Sequence, residues 1–568
     1  MKNTIKKCLK IIGTVLSFFN VLMFYAMRPC WSGISGTIGY GQNKPIILFY
    51  VPVFICVFLF LVLLSDLILK KLIKKNFINI IFLSIGVVFF VILMVIIKLG
   101  AIDYMRFVWP NFFKSVSVLA IILIVYFLLF IYPKSFLKDK EFFKYGIIGL
   151  CGVFSVIFLL NFRINRITYD PVVYAVEDKY QIVFSTNANA VGWVEVGGEN
   201  YYDLYNGSSK VNSKIHKIEV PMSVLDSNKK YTVHTQRSIY TGPFGGFLGR
   251  DVSKEVNFKP VDISDGIQYL SFSDIHMNAS QAKQTASFVS NYDFLVLNGD
   301  MISDVETFDD ANYANYVAYL ITKGEIPVVY ARGNHEVKGA YSEELHKFVG
   351  SKNGGFYYNF YFDEVYGVVL DIGEDHDDDW WEYYGTSHYE EYRDSQVEFL
   401  KAEIEKKNYD NYEYHMAVCH IPVCFVNYRH NHVEIKEELT KLLNQMDMDM
   451  VLCAHQHDIM IFEPGLIEPN TKLVYNKSYK DGTYNGYLTD FNFPCLMVSK
   501  QGYTFYDDSP LSKTKSHIGL FIDVNLNQKT EVCSWINGRG EKVDLVNMYY
   551  EKSYGTEIVI DLTTKQFK

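Results

Sequence analysis

Polar positions nearly vanish from five stretches in the front of the chain, roughly Leu9–Met27, Ile46–Leu69, Phe77–Ile97, Val116–Tyr132 and Tyr145–Phe162. Each approaches the ~20 apolar residues that cross a bilayer as a helix. The first lacks a small-residue cleavage site and more spans follow, so it reads as a span and not as a signal peptide. From about Asp170 to Asp262 the texture changes to short alternating runs at Tyr180–Phe184, Val191–Val196, Ile215–Val220 and Tyr231–Thr235, with Gly and Asn clusters between or after them. That pattern predicts a small β-sandwich.

In the back half, apolar runs stop repeatedly at Asp, Asn or His. The alternation at Leu270 and Phe272 ends at Asp274-Ile275-His276, and Phe294–Leu297 ends at Asn298-Gly299-Asp300. A helical stretch, Tyr313–Thr322, leads to a strand at Pro327–Tyr330 that ends at Arg332-Gly333-Asn334-His335-Glu336. Further strands at Val365–Leu370, Tyr414–Val418 and Met450–Cys453 end at Asp371, at Cys419-His420-Ile421-Pro422 and at Ala454-His455-Gln456-His457. Helical patterns at Ser395–Lys406 and Val433–Met446 lie between them. Strands alternating with helices predict an α/β sheet, whose carboxyl edge is where such sheets hold ligands. The tail from Phe505, with runs at Ile518–Val524 and Glu557–Leu562, reads as edge strands. The expected fold is multi-domain: a transmembrane helical bundle over 1–166, a β-sandwich over 167–262 and an α/β sandwich over 263–568.

Charge sharpens this division. Up to Arg166 there are 19 Lys plus Arg against 4 Asp plus Glu, a net of +15; the remainder holds 54 − 19 = 35 basic and 63 − 4 = 59 acidic residues, a net of −24. A basic, apolar front joined to an acidic back is the pattern of a membrane anchor carrying a water-facing domain, and the acidic part excludes nucleic acid as the main partner. Lysines cluster at Lys2, Lys6, Lys7 and Lys10, at Lys70, Lys71, Lys74 and Lys75, and at Lys134, Lys138, Lys140 and Lys144, while the alternate loops are poor in them. The clusters belong on the cytoplasmic side. An odd number of spans then puts the chain after Phe162 outside the cytoplasm, at a cell membrane crossed several times. Within the spans only Asp66 stands out as ionisable, which favours an anchor over a transport path. Five cysteines beyond the spans, with Cys419 and Cys453 on core strands, give no disulfide framework.

Two cations held ~3.5 Å apart can clamp an in-line phosphoryl displacement, and they need a shared ligand. Asp300 is the natural bridge. Oxygen and nitrogen donors without thiolate suit borderline divalent metals and not a structural zinc site. The ordered series Asp274-x-His276, Gly299-Asp300, Gly333-Asn334-His335-Glu336, His420 and His455-x-His457 resembles the calcineurin-like metallophosphoesterase superfamily. The resemblance covers about half the chain, and the sandwich before it is similar in placement to the N-terminal domain of purple acid phosphatases.

The resemblance implies a binuclear hydrolase, with one metal on Asp274, His276, Asp300 and His457 and the other on Asp300, Asn334, His420 and His455. The ions would be two from Mn, Fe or Zn, and a bridging hydroxide would attack phosphorus. His335 would contact the phosphate or protonate the leaving oxygen, so His335, Asp300 and Asn334 form the catalytic set. Purple enzymes carry a tyrosine three residues after the bridging Asp where this chain has Ser303, which implies a non-purple relative. The family's usual glycine before the last His pair is Ala454 here.

An acidic, aromatic insert, Gly373–Tyr392, follows Asp371 at the sheet edge. Trp380 and Tyr384 from it, and Arg429 after His420, are candidate substrate contacts, with Arg429 suited to bidentate phosphate binding. Asp304 is an orienting residue or a helix cap, and His415 is structural. The expected activity is hydrolysis of phosphate mono- or diesters on a phosphorylated small molecule, a lipid headgroup or a cell-envelope substrate, next to membrane lipid. Two other classes fit less well: a non-catalytic metal-binding sensor module, against which the complete ligand set argues, and a transport protein with an accessory esterase domain.

Overall fold

The computed structural model describes residues 2–26, 45–69, 76–100, 165–242, 245–374, 376–383, 385–427, 432–457, 459–476, 483–497, 517–546 and 552–568. The chain forms two compact units, Met1–Ile164 and Asn165–Lys568.

In the first unit, helices α1 (Lys2–Ala26), α2 (Pro45–Leu69) and α3 (Asn76–Gly100) coincide with the first three expected spans. Phe18 packs on Phe60 and Phe19 on Phe90. The Asn20 amide donates to the Gly86 carbonyl at 2.9 Å. Asp66, which the sequence presents as a lone charge near a span end, forms a buried ion pair with Lys10. Among the described residues no helix is long and apolar enough to cross a membrane. The expected fourth and fifth spans, Val116–Tyr132 and Tyr145–Phe162, lie outside the described residues. The transmembrane bundle expected from the sequence therefore gains no support from the described helices.

The second unit opens with strands β1 (Ile167–Val176), β2 (Lys179–Val196), β3 (Asn212–Pro221), β4 (Lys230–Gly242) and β5 (Gly245–Asn257). Next come β6 (Ile267–Phe272), β7 (Phe294–Asn298) and β8 (Val328–Ala331). A second series contains β9 (Tyr358–Phe362), β10 (Val365–Leu370), β11 (Tyr414–Cys419), β12 (Met450–Cys453), β13 (Ile461–Phe462) and β14 (Cys495–Met497). The tail supplies β15 (Gly519–Asn525), β16 (Thr530–Ile536) and β17 (Ile558–Asp561). One sheet runs β17-β16-β15-β6-β7-β8-β1-β2-β4-β5, with β3 beside β2, and the other runs β9-β10-β11-β12-β14-β13.

Two features depart from the sequence reading. The stretch expected to form a separate sandwich is β-rich, but it joins the sheet of the α/β part: β1 lies parallel to β8 with Tyr174 opposite Val328. No break in the sheet falls at 262/263. The tail strand β15 is also not an edge. It pairs with β6 on one side and β16 on the other.

The two sheets share a core, and period-2 alternation decides which side chains enter it. From β7, Phe294 and Val296 point into the layer that also holds Tyr269, Val329, Phe360, Val418, Leu452 and Ile522. On β11, Tyr414, Met416 and Val418 face this layer, while Ala417 and Cys419 face the opposite side. There the helices α4 (Tyr389–Lys406) and α5 (Val433–Gln445) close the second sheet with Val397, Leu400, Leu439, Leu442 and Leu443. Strands β6, β7 and β8 run parallel, as do β10, β11, β12 and β14. Parallel strands deliver their carboxyl ends to one edge of each sheet, and the polar residues that follow the strands gather there.

Candidate metal centre

The loop after β6 carries Asp274 and His276, and the loop after β7 carries Asp300. They are tied to each other through the backbone: Asp274 N–H donates to the Gly299 carbonyl and His276 N–H to the Asp300 carbonyl, each at 3.0 Å. Five of the clustered residues take left-handed backbone angles, with φ of 48° at Asp274, 39° at His276, 56° at Asp300, 73° at His455 and 55° at His457. Such conformations cost of order 1–3 kcal/mol each and concentrate where geometry serves a site. Two glycines make room for the turn. A Cβ on Gly299 would fall 2.5 Å from His420 Nδ1, and one on Gly333 would fall 2.2 Å from Asp300 Oδ1.

Side-chain donors converge in two groups, Asp274–His276–Asp300–His457 and Asp300–His420–His455, and Asp300 belongs to both. His457 Nε2 is 3.3 Å from Asp274 Oδ1 and 3.1 Å from His276 Nε2. His420 Nε2 is 3.2 Å from Asp300 Oδ2, and His276 Nε2 is 3.7 Å from the same oxygen. Asn334 sits at the second group, its Oδ1 3.0 Å from His455 Nδ1. His335 Nε2 lies 3.8 Å from Asp300 Oδ2, and its backbone N–H donates to Asp300 Oδ1 at 3.0 Å.

Hydrogen bonds behind these donors fix which atom each presents. The His420 Nδ1–H donates to the Asn298 carbonyl at 2.7 Å, which leaves Nε2 bare toward Asp300. The His335 Nδ1–H donates to the Ser303 carbonyl at 2.7 Å, which likewise aims Nε2 inward. Ser273 Oγ donates to Asp274 Oδ2 at 2.6 Å. Glu336, buried behind the loops, accepts from the backbone N–H groups of Asp300, Met301 and Gly333 at 2.8, 2.5 and 2.9 Å. It is therefore a clamp that joins the β7 and β8 loops, a role that its presence in the Gly333–Glu336 string did not disclose.

Electrostatics follow from crowding out of water. Burial alone would raise the carboxyls of Asp274 and Asp300, but facing imidazoles outweigh it and hold both below the usual carboxylate range. Burial also pushes His276 well down, helped by His335 and His457, so its ring stays neutral and its lone pair available. Asp274 Oδ1 and His420 Nε2 are buried and have no hydrogen-bond partner. Buried polar atoms left bare cost about 1–3 kcal/mol each or more when charged. Two such atoms, facing a shared carboxylate among oxygen and nitrogen donors, fit a cation pair.

The other expected residues fall elsewhere. Trp380 stacks on His376 with centroids 4.0 Å apart. Tyr384 and Arg429 lie outside the described residues. His415 is structural: its ring contacts the carbonyls of Met446, Tyr409 and Tyr412 at 2.9–3.1 Å. Thr307, and not Asp304, caps the short helix Phe308–Ala311. The described cysteines are free thiols.

Residues 267–458 match the family model described as calcineurin-like phosphoesterase. No curated protein matches the chain. Among solved structures, the purple acid phosphatase PPD1 of yellow lupin (Lupinus luteus) is 12% identical, with 70% of this chain and 75% of that one covered and a TM-score of 0.43. GAP50, the anchor in the inner membrane complex of Plasmodium, is 11% identical over 51% of this chain and 90% of its own, with a TM-score of 0.31. TT1561 of Thermus thermophilus is 12% identical over 49% and 98%, with a TM-score of 0.24. Likenesses this distant carry no inference about activity. The family match and the clustered donors do: residues 267–458 form a metal-dependent phosphohydrolase domain similar to the calcineurin-like phosphoesterases, with Asp and His side chains placed to bind two divalent metal ions.

Proposed function

We propose that the chain is a membrane-anchored phosphoesterase whose hydrolase domain faces away from the cytoplasm and cleaves phosphate mono- or diesters. One observation carries the chemistry: the bare, buried Asp274 Oδ1 and His420 Nε2 on either side of the shared Asp300. Asp274, His276, Asp300 and His457 would hold one ion, and Asp300, Asn334, His420 and His455 the other. Their donor set suits Mn, Fe or Zn. When bound, the ions supply Lewis acidity at the phosphoryl oxygens and a nucleophile at neutral pH.

The remaining steps belong to side chains. His335, fixed through Ser303, keeps Nε2 in the pocket, and its protonated form delivers a proton from that atom to the leaving oxygen. Glu336 holds the backbones of Asp300 and Gly333 together so that this geometry survives turnover. Arg429, Trp380 and Tyr384 would form the substrate wall. The apolar front of the chain and its lysine clusters support anchoring and the outward address, which brings lipid headgroups and envelope phosphoesters within reach.

Purified full-length protein, stripped with a chelator and resupplied with Mn, Fe or Zn, is tested on para-nitrophenyl phosphate and its bis-ester. Metal-dependent turnover of either is expected, and the preferred ester assigns phosphatase or phosphodiesterase. No turnover together with no bound metal would overturn the enzyme. Protection of the back half from protease added to intact cells would overturn the address.

A further inference from the structure

Among the described residues of the insert that follows Asp371, the carboxylate of Glu374 reaches the metal centre. Glu374 is 3% exposed. Its Oε1 accepts from Asn334 Nδ2 at 3.2 Å and pairs with Lys338 Nζ at 2.6 Å, and its Oε2 accepts from the Tyr383 hydroxyl at 2.7 Å. Arg393, itself buried in α4, anchors the backbone here: it donates to the carbonyls of Ile372, Glu374 and His376 at 2.9, 2.8 and 3.3 Å.

An asparagine amide has two unlike ends, and only the network around it decides which way they point. An ionised carboxylate accepts and never donates. Placed against Asn334, Glu374 can be satisfied only by the Nδ2 end, which turns Oδ1 toward His455, 3.0 Å from its Nδ1. Rotated by half a turn, the amide would set oxygen against carboxylate and offer N–H groups where a cation needs a lone pair.

We infer that Glu374 is a positioning residue: it holds Asn334 as an oxygen ligand, and through Tyr383 the acidic insert controls retention of the ion on the His420–His455 side. This rests on the two-metal reading above. The group Asp274–His276–Asp300–His457 does not touch Glu374 through Asn334, so the two ions should respond differently.

The test is Mn(II) binding by chelator-stripped full-length protein, measured by calorimetry and by metal content after desalting. Wild type is expected to bind two ions per chain, and failure to do so sinks the two-metal reading itself. Given two ions in wild type, Glu374→Leu should weaken one site about 10–100-fold, the usual effect of losing an outer partner, and leave the other unchanged. Glu374→Gln keeps an oxygen acceptor for Asn334 and should recover most of that loss. Tyr383→Phe should weaken the same site by a few-fold. Saturating Mn(II) should restore kcat in each variant with little change in KM. Two sites of wild-type affinity in Glu374→Leu, or equal weakening of both, would overturn the inference. If Glu374→Leu fails to fold by circular dichroism, the Tyr383→Phe variant decides: loss at one site supports the inference, and no loss overturns it.

Discussion

Asp300 and Glu531 are carboxylates shut away from solvent in the same unit, and their surroundings push them in opposite directions. Burial penalises the charge of each. At Asp300 the imidazoles of His420 and His335 more than offset that penalty, and the group stays ionised well below its ordinary range. At Glu531, in the layer between the sheets, the neighbours are two phenols and a second carboxylate, Asp449, which adds to the effect of burial. Tyr414 donates to Oε1 at 2.8 Å, Tyr269 stands 3.5 Å from the same oxygen, and burial wins, lifting the carboxyl to about 8. Two hydroxyls on one oxygen do not hold a carboxylate ionised as several facing imidazoles do. Depth in the fold thus does not mark a functional carboxylate. The company of several imidazoles, each oriented from behind, does.

Four experiments press on this contrast. The largest effect should come from Asp300→Asn, which removes the shared charge from both donor groups. Metal-dependent hydrolysis of para-nitrophenyl phosphate should fall by roughly 10³-fold or more, the scale of several kcal/mol of metal-borne stabilisation. A variant that retains full activity would show that the two groups do not share a ligand. Next, His335→Asn should lower kcat by about 10²-fold or more while bound metal is unchanged, since general acid catalysis supplies 10²–10⁴. Loss of metal in that variant would move His335 into the ligand set.

Glu531→Gln tests the other half of the contrast through stability. With a folded value near 8 and an ordinary unfolded value of 4.5, wild type holds an extra proton when folded. The contribution of Glu531 to stability should therefore be complete below about pH 4.5, decline as pH rises through the interval to 8, and level off above that, a loss of a few kcal/mol over the range. In chemical denaturation of the variant this decline should vanish. An unchanged pH profile would mean that Glu531 is ionised when folded. The smallest effect belongs to Tyr414→Phe, which removes the main donor to Glu531 and should cost about 1–2 kcal/mol with activity retained.

Much of the site was legible because strand ends advertise themselves. A run as short as Phe294–Leu297, closed by an Asn-Gly turn signal, reads as a buried strand, and the polar Asn-Gly-Asp directly after it then lies at the sheet edge. The same logic located His420 and His455 from β11 and β12. The helix Tyr313–Thr322 emerged with the bounds its periodicity gave. Pairing between distant strands was not legible, because alternation states which face is buried and not which neighbour lies alongside. That is why the front strands were expected to form a body of their own, although β1 lies against β8. Glu374 was hidden for a related reason. Within Gly373–Tyr392 it is one acid among several, and only the approach of Asn334, forty residues away in sequence, distinguishes it. The left-handed turns at Asp274 and His455 carry no glycine and so gave no warning.

The position of β15 has a temporal consequence. The strand that delivers Asp274 and His276 is flanked on one side by residues 519–525, which a ribosome makes some 250 residues later. Until then β6 presents an unpaired edge, and the loop it supports has no fixed seat. A nascent chain would carry nearly every metal-binding side chain while lacking the brace that sets them, so hydrolysis should begin only after synthesis has passed the tail.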